Sequence, residues 1–261
     1  MITSTSNAKI KQVRALQARR KARREAGLFV VEGVRLAEEA LEARWTPELA
    51  LYSDALSARG QNIIAKLREQ NVQVEEVAGH VMEAASDTRS PQGILMTLPL
   101  RTLPAPDKLD FVLIAEQVRD PGNLGAMLRG AAAAGAQAVF LTPGTADAFA
   151  PKVVRAGMGA HFRIAIQSLS WQEIETQRKQ HRLHMYLAAA GEGTEYTKAN
   201  LTSPLALIVG GEAAGAGQEA RDLADARIYI PMPGGSESLN AGMAASILLF
   251  EAARQRREAT K

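Results

Sequence analysis

The chain has 261 residues, 46% hydrophobic and 23% charged, the balance of an ordinary globular protein and enough length for one large domain or two of average size. No apolar run approaches the ~20 residues that span a bilayer, and the N-terminus MITSTSNAKIKQ has no secretory stretch. There is no cysteine, which excludes disulfides and thiolate metal sites and fits a cytoplasmic location.

The net charge of +3 is unevenly spread: residues 1–24 carry eight Lys and Arg and no acid, 25–104 seven basic and twelve acidic, and 105–261 sixteen of each. Residues 6–25 predict a helix with Ser6 or Asn7 as N-cap and Gly27 ending it. Like charges without compensation repel, so this arm predicts a polyanionic partner. Lys11, Arg14, Arg19, Arg20 and Arg24 are its candidate contacts. A membrane surface fits less well, because Ile10, Val13 and Leu16 make a thin apolar stripe without an aromatic anchor.

Strand and helix then alternate. Leu28–Glu32 reads as a strand and Val34–Ala43 as a helix; Leu49–Tyr52 and Val72–Val77 are strand-like around a helix near 57–69; Gly93–Leu98 is a further strand. Pro99–Asp107, with three prolines and no periodicity, reads as a linker. The predicted domains are therefore 1–98 and 108–261, joined by 99–107. In the second half the predicted strands are Phe111–Ala115, Ala138–Leu141, Arg163–Ile166, His184–Ala188, Leu205–Val209 and Arg227–Ile230, and the last helix runs from about Ser238 to Arg257. Strands as continuously apolar as LALIV belong in a parallel sheet covered on both faces, so both halves predict α/β architecture. Ala131–Ala134 reads as a close-packed helix face. The four histidines form no ligand set, and His181 and His184 lie on a basic stretch without a carboxylate at ligand spacing, so no metal site is expected.

Ligands in open parallel α/β sheets bind beyond the carboxyl ends of strands. Three such ends are rich in Gly, Pro and small polar residues: EQVRDPGNLGAMLR (Glu116–Arg129), VGGEAAGAG (Val209–Gly217) and IPMPGGSESLN (Ile230–Asn240). Singly, each fits glycines that merely turn the chain. None is a P-loop, and GGEAAGAG lacks the dinucleotide spacing G-x-G-x-x-G, which weakens a dehydrogenase reading.

Together, in this order, the three segments resemble the motifs of the SpoU/TrmH branch of the SPOUT methyltransferases. Asn123 to Arg129 matches N-x-G-x-x-x-R, Gly210 to Gly215 a strand ending in G-x-E-G-x-G, and Ile230 to Asn240 the I-P-M…S-L-N segment before a long helix. The segment PKVVRAGMGAHFRI and the first half, ITSTSNAKIKQVRAL…FVVEG, are also similar to ribosomal-RNA members of the family, so the likeness covers nearly the whole chain. Ala213, Gly157 and Ala216 depart from the residues usual at their positions, without removing a polar group expected in the chemistry.

The resemblance implies an L30e/L7Ae-like α/β domain that binds RNA, followed by a parallel α/β domain with a deep trefoil knot. It implies S-adenosyl-L-methionine as cofactor, with Gly210, Ile230 and Leu239 at contact positions and Met232 and Thr142 nearby. It also implies transfer of a methyl group to a ribose 2′-hydroxyl. In that scheme Arg129 activates the hydroxyl, either as a base or as a clamp on phosphate and developing alkoxide. Asn123 and Asn240 orient Arg129 or the ribose, Glu212 holds Arg129 or the nucleotide, and Ser238 contributes a hydrogen bond. A homodimer through the second domain is expected, as is ribosomal RNA ahead of transfer RNA, whose enzymes generally lack the first domain. A non-catalytic RNA-binding assembly protein is the alternative of another class, and the catalytic set counts against it.

Overall fold

A computed structural model of the chain describes residues 1–211 and 215–259, which fall into two compact units. The first comprises Met1–Arg101 with Phe149–Phe162; the second comprises Thr102–Ala148 and Arg163–Lys261.

In the first unit, β1 (Leu28–Glu32) and β2 (Leu49–Tyr52) each pair antiparallel with β4 (Ile94–Pro99), and β3 (Gln73–Glu76) adds parallel to β2. Alternate residues of β1 feed two layers. Leu28 and Val30 join Ile10, Val13 and Leu16 of α1 (Ala8–Ala18) and Val81 and Met82 of α5 (Gly79–Ala85), a helix the sequence did not announce. Phe29 meets Trp45 and Phe149 edge-on, with ring centroids 6.1 and 5.0 Å apart, and Trp45 meets Phe162 at 5.2 Å. The helices α3 (Val34–Glu42) and α4 (Ala58–Glu69) complete the part of the unit that is continuous in sequence.

Phe149 and Phe162 bracket α7 (Pro151–Gly157), whose Val153 and Val154 are also buried. This segment lies far downstream, yet its aromatic ends are core of the first unit. A division at 99–107 into contiguous domains thus describes chain order but not the packing of 149–162.

The single helix expected over 6–25 is two helices. In α1, Asn7 caps the start by accepting from the Lys9 N–H, and Arg19 is extended at φ −131°. The helix α2 (Arg20–Ala26) then closes on Gly27, left-handed at φ 65°. The break lets the buried Arg23 guanidinium donate to the carbonyls of Leu16 (2.6 Å) and Gln17 (3.2 Å), which the last turn of a helix leaves without helical partners. Lys9 pairs with Glu75 and Lys21 with Glu25. The free charge of the arm is thus smaller than its eight cations imply. Lys11, Arg14, Arg19, Arg20 and Arg24 are exposed.

The second unit is built on seven strands in the order β7-β6-β5-β10-β8-β11-β9, every neighbouring pair parallel. They are β5 (Phe111–Glu116), β6 (Ala138–Leu141), β7 (Ala165–Ser168), β8 (His184–Ala188), β9 (Thr194–Glu195), β10 (Leu205–Gly210) and β11 (Ala226–Tyr229). The two-residue β9 at the edge had no periodicity to betray it. Among the helices, α6 (Pro121–Ala134) starts where the Asp120 carboxylate accepts from the Asn123 N–H at 2.8 Å, with Pro121 at the first position, and ends at left-handed Gly135. A capping box of Ser170 and Glu173 starts α8 (Trp171–His181); α9 (Gln218–Leu223) and α10 (Ala241–Ala259) follow. Helices α6 and α10 approach closely. A Cβ at Gly130 would come 2.9 Å from the Ser246 hydroxyl, and one at Gly242 would come 3.0 Å from the Ala126 methyl. The tight face therefore runs through Ala126 and Gly130, and of the alanines at 131–134 only Ala131 is fully buried.

Candidate functional site

Beyond the carboxyl ends of β10, β8 and β11 lies a cleft of about 170 Å³, closed on one side by the first turns of α10. Gly210, Gly211, Gly215 and Ala216 form one wall; Ile230, Met232, Glu237, Ser238 and Leu239 another; and Ala188–Gly191, after β8, a third. The second and third sequence motifs thus converge on one space. The lining is mostly main chain and small apolar side chains, which offers N–H and C=O groups to the edges of a ligand and aliphatic groups to its faces.

The glycines have a steric reason. A Cβ at Gly210 would lie 3.0–3.1 Å from backbone atoms of Gly215 and Ala216, and one at Gly211 would lie 2.6 Å from the Gln117 carbonyl oxygen. The loop after β10 folds back on itself, with Gly211 bridging Gly215, and rests on the end of β5, where the Gly211 N–H donates to the Glu116 carbonyl at 2.9 Å.

Of the expected cofactor residues, Gly210, Ile230, Met232 and Leu239 line the cleft. Thr142 does not. It follows β6, two strands away from β10, and its buried hydroxyl accepts from the Gln117 N–H at 3.0 Å. That bond supports an unusual turn, for Gln117 is left-handed at φ 48°.

Of the expected catalytic residues, Ser238 lines the cleft. The Asn240 amide donates to the Asn123 side-chain oxygen at 2.7 Å, tying the start of α10 to α6, while the Asn240 oxygen accepts from the Met243 N–H. The two asparagines thus orient each other. Arg129 lies eight residues beyond Pro121, about 12 Å along the helix at 1.5 Å per residue. It is exposed, is outside the cleft lining, and has no hydrogen bond or ion pair among the described residues. Glu212, and with it Ala213, lies outside the described residues. Ala216 is in the cleft wall, whereas Gly157 belongs to α7 of the first unit.

One polar group at the site was not anticipated. Glu116, the last residue of β5, pairs in register with Gly210 and is fully buried. Burial pushes its carboxyl above the ordinary carboxylate range; the Gly217 N–H opposes this, Glu219 adds to it, and the Gln117 amide and Arg221 oppose it. A lone carboxylate ending the apolar run FVLIA was the available signal.

Residues 110–250 match the SpoU rRNA Methylase family, and residues 7–96 match an MRM3-like substrate binding domain. The chain is 34% identical over 251 residues to the 23S rRNA (guanosine(2553)-2′-O)-methyltransferase RlmP of Bacillus subtilis, covering 95% of this chain and 97% of that protein. Its fold is similar to the SpoU methyltransferase AviRb from Streptomyces viridochromogenes, solved in complex with the cofactor AdoMet, with a TM-score of 0.86 and 28% identity over 97% of this chain and all of that one. The TrmH/SpoU tRNA modifying enzyme of A. aeolicus is similar over only 60% of this chain and 80% of its own, with a TM-score of 0.51 and 27% identity.

Proposed function

Because the chain belongs to the SpoU rRNA Methylase family, we propose that it methylates a ribose 2′-hydroxyl of ribosomal RNA with S-adenosylmethionine. The observation that carries this is the convergence of Gly210, Ile230, Met232, Ser238 and Leu239 on one cleft at the carboxyl ends of parallel strands. Its main-chain polar groups and aliphatic faces fit a cofactor with a flat heterocycle and a polar tail. When bound, S-adenosylmethionine supplies an electrophilic methyl group.

The chain's own groups hold and orient the reactants. Gly210 and Gly211 let backbone pass close to the ligand, Ile230 and Leu239 cover it, and Ser238 offers a hydroxyl at the rim. The Asn123–Asn240 bond fixes α10 against α6 and so the wall that Ala241 and Ala244 provide. Arg129 is the residue that meets the RNA. A guanidinium is a strong cation and a poor base, which favours a clamp on phosphate and developing alkoxide. Glu212 keeps its proposed place beside Arg129 or the nucleotide.

Residues 1–98 are the proposed RNA platform, with Lys11, Arg14, Arg19, Arg20 and Arg24 as its phosphate contacts, 99–107 the linker and 108–261 the methyltransferase portion. Full-length likeness to a ribosomal-RNA enzyme, against 60% coverage for a tRNA enzyme, supports ribosomal RNA. A trefoil knot in the second unit, a homodimer and a cytoplasmic location belong to the same reading. Support for the dimer comes from Met243 and Phe250 of α10, which are 57% and 52% exposed; for the location, it comes from the likeness to a bacterial ribosomal-RNA enzyme. The test is a map of ribose methylation across total RNA from cells with and without the gene. One ribosomal ribose should lose its methyl group and regain it on complementation, whereas loss confined to tRNA would replace the substrate assignment.

A further inference from the structure

The cleft is almost without charge. Its walls are main chain, glycine and small or aliphatic side chains, and among the described residues that line it Glu237 is the one with an ionisable side chain. That carboxylate is exposed and makes no hydrogen bond or ion pair with a described residue. A carboxylate just ahead of a helix commonly serves the helix, by capping its first N–H groups or by meeting its dipole. Here the cap is already supplied: Asn240, next to the first residue of α10, accepts from the Met243 N–H at 3.2 Å. Glu237 stands three residues upstream of that cap and shares the open end of the cleft with Ser238, which is exposed as well.

We propose that Glu237 is a specificity residue that reads the charge of the cofactor: its carboxylate favours S-adenosylmethionine over S-adenosylhomocysteine and so limits inhibition by the spent product. This rests on the cofactor reading above. The apolar interior of the cleft suits a flat heterocycle, which leaves the charged end of the ligand at the mouth, where Glu237 stands. Methyl transfer breaks the bond from sulfur to the methyl carbon and leaves its electron pair on sulfur. It forms the bond from that carbon to the ribose oxygen, and the hydroxyl proton goes to solvent. The cationic sulfonium becomes a neutral thioether, so the spent ligand has one positive charge fewer than the incoming one. The α-ammonium and α-carboxylate are the same in both ligands, and only the sulfonium can carry a difference in affinity. Opposite charges at contact range are worth about a five- to tenfold preference at a solvated rim, and salt reduces it.

The test is calorimetry of the full chain with three ligands: S-adenosylmethionine, S-adenosylhomocysteine, and sinefungin, which carries a charged amine in place of the sulfonium. Wild type, Glu237→Gln and Glu237→Asp are compared, and all three should melt alike because the side chain is exposed and unbonded. In Glu237→Gln the preference for S-adenosylmethionine over S-adenosylhomocysteine should fall by about five- to tenfold. The loss should fall on S-adenosylmethionine and sinefungin, with S-adenosylhomocysteine bound as by wild type. Glu237→Asp keeps the charge and should keep most of the preference. Raising the salt should shrink the preference of wild type and leave that of Glu237→Gln where it is. In turnover, KM for the cofactor should rise in Glu237→Gln while kcat changes little, because the sulfonium charge is already dispersing in the transition state. An unchanged preference in Glu237→Gln overturns the proposal. So does equal weakening of all three ligands, which would put Glu237 on the α-ammonium they share. A wild-type chain that binds none of the three overturns the cofactor reading itself, and the wild-type titration alone tells that failure from the others.

Discussion

Gly211→Ala is a sharp test of whether the loop after β10 must lie against the end of β5. The added Cβ would sit 2.6 Å from the Gln117 carbonyl oxygen and 3.3 Å from its carbon. Relief to an ordinary contact of 3.4 Å needs a shift of about 0.8 Å. Gln117 is a poor candidate to move, since it is already left-handed and its N–H is held by the Thr142 hydroxyl at 3.0 Å. The loop must move instead, drawing the Gly211 N–H away from the Glu116 carbonyl and displacing Gly210 in the cleft wall. Overpacking of this kind costs about 1–3 kcal/mol. If the strain is released by shifting the loop, it reappears as lost ligand affinity, about 5- to 150-fold, with little change in melting temperature. Gly234→Ala is the control: nothing lies within 4 Å of its added methyl and its φ is not in the left-handed region, so it should bind normally. Calorimetry with S-adenosylhomocysteine reads both. Native affinity in Gly211→Ala would refute the steric account of the loop.

Arg129→Ala should leave cofactor affinity intact and cut methyl transfer by about 100- to 1,000-fold, with Arg129→Lys nearly as poor because it loses the planar fork; full activity in both would remove Arg129 from the mechanism. Replacing Lys11, Arg14, Arg20 and Arg24 by Gln should lower the log–log salt slope of RNA binding by about 0.7–0.9 per lost phosphate contact, whereas an unchanged slope would make the arm a solvated surface. Phe162→Ala should destabilise the first unit by about 3–5 kcal/mol, since its ring packs on Trp45; a wild-type denaturation curve would contradict its place in that core. Met243→Lys with Phe250→Lys should shift the mass measured by light scattering from dimer to monomer, and a wild-type protein that is already monomeric at micromolar concentration would dismiss the dimer.

Much of the site was legible without coordinates because its signals are local. Apolar runs such as FVLIA and LALIV mark buried parallel strands, and Gly, Pro and Ser clusters mark their ends. Gly210, Ile230, Met232, Ser238 and Leu239 sit at those ends, and the resemblance to the SpoU/TrmH motifs singled them out. Thr142 also follows a strand, and only the sheet order β5-β10-β8 reveals that its end faces Gln117 and not the cleft.

Local pattern likewise announced a basic helix, but not that Arg23 would turn inward to cap the carbonyls of Leu16 and Gln17 and split it. The family resemblance put Asn123, Arg129 and Asn240 in one constellation; the packing of α6 on α10 decided that the asparagines bond each other. Residues 149–162 read as part of the second half by position, yet Phe149 and Phe162 complete an aromatic layer begun by Phe29 and Trp45. The sequence alone determined the alternation of strands and helices and the loops that end them, because hydrophobic period and turn residues act within a few positions of the chain; the chemistry those loops carry came from their resemblance to the SpoU/TrmH motifs. Sheet order, the pairing of Asn123 with Asn240, the burial of Glu116 and the unit to which 149–162 belongs were decided by tertiary structure. Each depends on contacts between residues far apart in sequence, which no local pattern encodes.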